Sequence, residues 1–481
     1  MSTEDISGMF LFGRFCWKCS FMYFCRGIFI GITNEDSIDF ATMNVTTLFR
    51  KLLVPTLLGM IFSAVFIITD GIFVGKGIGS DALAAVNITA PLFLINTGVA
   101  LMFGIGASVV ASIHLSQGKV KVARINITQA VVVSSLLLLG YAGAIMLEVE
   151  QVAHWLGSSE RLLPLAVEYM RWFVPFLPFS ALLSSGLFFV RLDGSPNYAM
   201  TCNIVAAVIN MALDYIFIML LQMGMFGAAL ATSLGYIVGA LMILGYLLQR
   251  CRVLHLCRVK TTLKTLKLTV RNVGYMCRLG LSTFLCEAAV ATMMFVGNYV
   301  FIRYIGEDGV AAYSIACYFF PIVFMVYNAI AQSAQPILSY NFGAGRPDRV
   351  KTAFQLSLIT AIGCGVLVFV LTALFSHQVV SMFVDRNTPA YDIAVKGLPL
   401  FASGFVCFGI NMVSIGYFQS VKRDWTAMYV TILRGFIFIL LCFWLLPIML
   451  EVAGIWLAVP MAEFLTFLFV LTIYCRGRKG E

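Results

Sequence analysis

Ala130-Val-Val-Val-Ser-Ser-Leu-Leu-Leu-Leu-Gly-Tyr-Ala-Gly-Ala-Ile-Met146 carries no charge and shows no alternation of apolar with polar residues. Phe436–Leu450 repeats that pattern near the other end of the chain. A strand crossing a bilayer would alternate between lipid-facing and inward-facing residues, whereas a spanning helix needs about 20 consecutive, mostly apolar positions. In lipid every backbone N–H and C=O must find its partner inside the protein, which leaves helices and closed barrels. These two stretches read as membrane helices.

The rest of the chain agrees. Of 481 residues 60% are apolar and 11% charged, against roughly 25% charged in an ordinary soluble domain. Mean hydropathy is +0.94, which leaves too little polar surface to coat a soluble particle. A soluble enzyme, a disordered chain and a secreted disulfide scaffold are excluded. Most of the 13 cysteines, such as Cys202, Cys286 and Cys364, lie in apolar runs, where free Cys acts as a small hydrophobe. Cys16 and Cys19 form a CxxC with no second pair or nearby His, a poor signal for zinc or redox chemistry.

Apolar runs closed by charges give twelve spans, near 49–75, 86–114, 125–147, 162–188, 196–221, 226–249, 275–303, 309–338, 350–375, 391–418, 425–449 and 452–475. The predicted fold class is an all-α integral membrane protein with twelve transmembrane helices. Counting Lys and Arg in alternate loops fixes the expected orientation. One set, including Lys119, Arg191, the run Arg250 to Arg278, Arg346 and Arg349, carries 22, and the other carries six. Both termini and the central basic loop are therefore expected in the cytoplasm. That distribution accounts for the net charge of +9 without nucleic acid as a partner.

Residues 1–42 stand outside this plan. Segment 9–31 is apolar but is interrupted by Arg14, Lys18 and Arg26, with an amphipathic interfacial helix as the lesser reading. It has no small-residue cleavage site. Met43 precedes the first convincing span, so the extension is expected to be dispensable.

Shifted by 227 positions, the chain overlays itself. Ile78-Gly79-Ser80-Asp81-Ala82-Leu83-Ala84-Ala85 falls on Ile305-Gly306-Glu307-Asp308-Gly309-Val310-Ala311-Ala312, and Gly118-Lys119 falls on Gly345-Arg346. Six spans per half is an even number, so both halves enter from the same side. The expected organisation is two six-helix lobes, 43–249 and 275–481, joined by a basic linker at 250–274 and related by a parallel pseudo-two-fold. Such repeats place a substrate path between rocking lobes.

An acid inside a span costs about 2.5–3.5 kcal/mol even on the lenient insertion scale, so each needs a reason. Asp70 lies in the first span, and Asn203, Asn210 and Asp214 share one helix face of the fifth through steps of seven and four. Thr232 adds an oxygen in the sixth. Asn203 and Thr232 alone would serve equally well as interhelical glue. If Asp70 faces Asp214, both stay ionised only with a cation between them, and carboxylates with neutral oxygens suit a hard cation or a proton. The second half offers Glu287, Arg434, Gln332, Gln335 and Asn341 as a possible further polar cavity, with Arg434 either paired to Glu287 or snorkelling. Pro55 removes a backbone hydrogen bond before Asp70 and is positioned to bend that helix.

Together with Pro55, the stretch Asp70-Gly71-Ile72-Phe73-Val74-Gly75 and the run Gln335-Pro336-Ile337-Leu338-Ser339-Tyr340-Asn341-Phe342-Gly343-Ala344-Gly345 resemble the multidrug and toxic-compound extrusion (MATE) transporters over residues ~45–475. The resemblance implies a secondary antiporter of a bacterial inner membrane, exporting organic cations and other amphipathic compounds against H⁺ or Na⁺. It implies no cofactor beyond the coupling ion. No enzyme activity is expected, because His114, His154, His255 and His377 fall near loops and no nucleophile–His–acid set lies at membrane depth. A monomer is the default for a bundle with an internal two-fold. Asp70, Asn210, Asp214 and Thr232 match the branch whose cation site lies in the N-terminal lobe, where they would also ligate Na⁺, and Pro55 matches its bending proline. Another branch pairs a Glu in the seventh span with an Asp in the tenth; Glu287 fits the first, but the tenth offers Asn411. The alternative function is a flippase or exporter of a lipid-like metabolite.

Overall fold

The computed structural model describes residues 38–258, 262–381, 383–384 and 386–477. Cys16, Cys19 and segment 9–31 lie outside them. Every regular element among the described residues is helical. In order these are α1 Val45–Gly77, α2 Ser80–Ser116, α3 Val120–Leu147, α4 Val149–Trp155, α5 Leu163–Phe173, α6 Leu177–Leu192, α7 Pro196–Asp214 and α8 Gly224–Gly245. The second half holds α9 Leu263–Tyr304, α10 Glu307–Gly343, α11 Pro347–Leu374, α12 Ser376–Ser381, α13 Pro389–Ala402, α14 Phe405–Ser420, α15 Asp424–Ile432 and α16 Ile439–Gly477. Single turns of π-helix follow α7, α8 and α15, at Tyr215–Leu220, Tyr246–Arg250 and Leu433–Phe438.

Among the described residues, ten helical stretches are long and apolar enough to cross a membrane. An eleventh is formed if α13 and α14, bent by 42° at their break, make one span. The stretch Asp424–Cys475 counts as one of the ten at 52 residues, yet Glu451 inside it has φ 49° and ψ −128°, which no helix tolerates. This break falls between the sequence-predicted spans 425–449 and 452–475.

Glycine explains the repeated loops. Gly79 and Gly306 have φ of +132° and +88°, and Gly118 and Gly345 have +73° and +67°. Each pair stands 227 positions apart in sequence and turns the chain between helices through the region where L side chains are strained.

The loops 117–119, 193–195, 251–258 and 344–346 gather at one end of the bundle, here called the basic end. Asp193 holds the connector there, accepting from the backbone N–H of Arg252, Val253 and Leu254 at 2.7–2.9 Å and from the Tyr246 hydroxyl at 2.8 Å. Residues 38–43 are fastened to the same end. Arg346 donates to the carbonyl of Ala41 at 2.6 Å, Arg349 donates to those of Phe40 and Met43, and the Phe40 ring meets Tyr340 at 5.8 Å. The final stretch of the predicted extension is thus part of the fold.

The most extensive helix packing in the molecule joins α2 of the first half to α9 of the second. It is built at backbone contact. A Cβ on Gly106 would overlap the carbonyl of Met276, and one on Gly280 would overlap that of Met102. Nearby, Ser112 Oγ donates to the Pro336 carbonyl at 3.4 Å, and Gly343 sits against Ile113 and Ser116. These contacts fall in the basic-end half of both helices. Towards the opposite end, Ile67, Ile68 and Ile72 of α1 and Phe295, Tyr299 and Ile302 of α9 are exposed.

Candidate functional site

Helix α7 packs between α1 and α8, and that arrangement assembles the polar residues of the first half. Asn210 and Asp214 lie one turn apart on its buried face, with Asp214 fully enclosed. Asn210 Nδ2 donates to Thr232 Oγ1 at 3.3 Å, and Thr232 Oγ1 lies 3.5 Å from Asp70 Oδ1. Asp70 and Asp214 are electrostatic neighbours. Three helices therefore bring Asp70, Asn210, Asp214 and Thr232 to one place. With both acids ionised, the carboxylate oxygens of Asp214 and the Oδ1 of Asn210 are buried without a hydrogen-bond donor among the described residues. Buried acceptors are normally satisfied, and oxygens alone converging on a point form a set that a proton or a hard cation completes.

Two aromatic residues that the sequence reading passed over border this cluster. Tyr169 and Tyr236 come within electrostatic reach of Asp70. Tyr236 packs edge-on against Phe66 and stacks with Phe93, at 6.2 and 6.0 Å. In sequence they look like any aromatic in an apolar run. The π-turn Tyr215–Leu220 begins one residue after Asp214, a common placement for such turns beside functional groups.

Asn203 stands apart from the cluster. It donates to the carbonyl of Gly59 at 3.0 Å and to Ser63 Oγ at 2.8 Å, fastening α7 to α1 one turn beyond Pro55. Pro55 is a buried interior proline of α1.

In the second half the predicted residues divide. Arg434 pairs with Glu463, Nε to Oε1 at 2.6 Å, rather than with Glu287, and it does not snorkel, being 4% exposed. Asn411 donates to Glu463 Oε2 at 2.8 Å, and the guanidinium lies 4.5 Å over the Phe408 ring. Glu287, partly buried on α9, makes no hydrogen bond with any described residue. Asn341 lies away from these groups at the basic end, donating to the Ile337 carbonyl and accepting from Arg349 Nε, both at 2.8 Å. There it secures a helix end, tied to Arg349. Gln332 and Gln335 do border a cavity between the halves. Gln335 meets Ser108 of α2 at 3.3 Å, and Gln332 Oε1 accepts from Arg191 Nη1 at 2.9 Å. Arg191, counted in sequence as a loop charge, is buried.

A bundle of helices long and apolar enough to cross a bilayer, with acids in its interior, defines a polytopic membrane protein. The chain belongs to the MatE family, whose pattern matches twice, at residues 55–216 and 283–444. Among curated proteins it is 25% identical over 68% of its length to 72% of a FAD transporter of Shewanella oneidensis. It is 24% identical over 88% of its length to 92% of a probable multidrug resistance protein, YoeA, of Bacillus subtilis. With the multidrug export protein MepA of Staphylococcus saprophyticus it shares 23% identity over 80% of its own length and 84% of that protein. Its fold matches an outward-facing multidrug resistance MATE transporter of the MOP superfamily, with a TM-score of 0.81 at 22% identity, covering 92% of this chain and 99% of that one. A Vibrio cholerae MATE transporter variant matches with a TM-score of 0.82 at 19% identity, covering 91% and 98%.

Proposed function

We propose that this protein is a secondary antiporter that exports organic cations and other amphipathic small molecules from a bacterial cell in exchange for H⁺ or Na⁺. The observation that carries the reading is the set of buried oxygens on Asp214 and Asn210 with no donor among the described residues, beside the second acid Asp70. With a proton or Na⁺ bound, the cluster is neutralised; with neither bound, its negative charge favours a cationic solute. Exchange needs one site, or two overlapping ones, that releases its driving ion when substrate arrives.

The wider architecture supports the same reading. Dividing Asp424–Cys475 at Glu451 and joining α13 to α14 gives twelve spans, six in each half. The two family matches begin at 55 and 283 and end at 216 and 444, the spacing a parallel repeat requires. The excess of Lys and Arg assigns the basic end to the cytoplasm. The lobes then meet on the cytoplasmic side through α2 and α9, an outward-facing arrangement, and opening inward means parting that contact.

The test is efflux of ethidium from proteoliposomes under separately imposed H⁺ and Na⁺ gradients. Gradient-dependent efflux is expected. Translocation of a lipid-linked sugar with no dye efflux would favour the flippase instead.

A further inference from the structure

The cavity between the halves is bordered by α2, α9, α10 and α14, and its wall carries no charged residue. What it carries is amides whose orientation the chemistry of their partners decides. Gln332, 5% exposed, receives Arg191 Nη1 on its Oε1. A guanidinium has no acceptor, so the contacting atom must be the oxygen, and Nε2 is left as a donor without a partner among the described residues. Gln419, 4% exposed, is fixed the other way. Its Nε2 lies 3.2 Å from the Leu279 carbonyl and also meets Ser282 Oγ and Thr283 Oγ1. A carbonyl only accepts, which leaves Gln419 Oε1 as the free acceptor. Asn328, on the same wall, bonds to no described residue.

The spare atoms of these amides make no interhelical bond among the described residues, and they belong to side chains that line the cavity, where a solute can meet them. In the second half Arg434 is already matched, and Glu287, next to Cys286 on α9, is not among the residues of the wall. Arg434 lies behind Cys286 and Met412, 3.9 and 3.3 Å from their sulfurs, and is held by Glu463. Arg191 is the one charge touching a wall amide, and it acts through Gln332 by polarising that amide as a donor. Around these groups the wall is apolar, with Ile105, Ala331 and Ile415. A few fixed polar groups on an apolar wall are the makings of a selective pocket.

We propose that this cavity is a subsite for an uncharged planar group that both donates and accepts hydrogen bonds, a carboxamide or cyclic imide borne by the transported molecule. The acceptor of that group meets Gln332 Nε2, and its N–H meets Gln419 Oε1. Arg191 is a positioning residue that keeps the Gln332 amide from turning over. The proposal rests on the export reading for the identity of the ligand as cargo, and its test does not require export.

The test is equilibrium binding to the full chain in lipid nanodiscs, read by saturation-transfer NMR with three isosteric probes: nicotinamide, methyl nicotinate and nicotinate. Only the first is uncharged with both donor and acceptor. Wild type should bind nicotinamide about tenfold tighter than either of the others, the scale of one unmet buried hydrogen bond. Gln332→Met and Gln419→Met should each bring the ratio close to one. Arg191→Met, which removes no wall atom, should lower it several-fold, and Asn328→Ala, at a partly exposed position, provides a variant with little risk to folding and should also reduce it. Equal binding of the three probes by wild type, or of none, overturns the proposal, as does an unchanged ratio in both glutamine variants. Ethidium efflux by wild type in the same lipid reports on export separately; its absence beside an intact amide preference would count against export and leave the subsite standing.

Discussion

Arg434 and Glu463 form a charge pair in the interior of the second half, Nε to Oε1 at 2.6 Å, with side chains 4% and 6% exposed. Two opposite charges so far from water stabilise less than their attraction suggests, since both were desolvated, but removing one strands the other. Arg434→Met or Glu463→Leu alone should therefore cost about 3–5 kcal/mol, and the double variant should recover most of that. Thermal unfolding in detergent is the measurement. Single variants as stable as wild type would mean that water reaches the pair.

Asp70→Asn and Asp214→Asn keep side-chain volume and remove the ionisable group. Each should abolish gradient-driven ethidium efflux while leaving expression intact. Thr232→Ala withdraws only a neutral oxygen and should weaken ion dependence more mildly. Glu287→Gln is the discriminating variant. Efflux lost there but fully coupled in Asp214→Asn would transfer the coupling chemistry to the second half.

The amino-terminal extension has two parts with different expected consequences. A chain whose native residues begin at Ile38 should match the full-length protein in stability and export. Beginning at Met43 removes the carbonyls that Arg346 and Arg349 hold at Ala41 and Phe40. That shorter chain should lose about 1–3 kcal/mol, the scale of charge-assisted hydrogen bonds left unmet. Melting curves of the two truncations decide the matter, and equal midpoints would make residues 38–42 ornamental.

Orientation is testable without transport. In a Cys-free background, Thr265→Cys lies at the start of α9 in the basic connector. An impermeant maleimide should label it in inside-out vesicles and not in intact cells. Labelling from outside alone would invert the assignment.

Much of the helical layout was readable from the chain because a spanning helix demands a long uncharged run, a constraint that acts locally. The cluster of Asp70, Asn210, Asp214 and Thr232 was readable for the same reason: polar groups inside such runs are conspicuous, and helical spacing places Asn210 and Asp214 on one face. Glu463 carries the same local signal, an acid in an apolar run. Its pairing with Arg434 depends on which helices touch, and no one-dimensional pattern records that. Arg191 looked like a loop charge because it stands two residues before a turn, and its burial beside Gln332 of α10 depends on which helices touch. Asn341 shared a motif with Gln335 but lies six residues further on, where the helix has already reached the basic end.

The crossing of α2 and α9 at Gly106 and Gly280 has a mechanical consequence. Interlocked side chains would act as gear teeth, obliging two helices to change rotamers before they could separate. At these two points backbone lies directly against backbone, so no side chains interlock there. If the halves part here, as the proposed exchange requires, neither point needs a rotamer change first, and a single methyl group placed at either is grit.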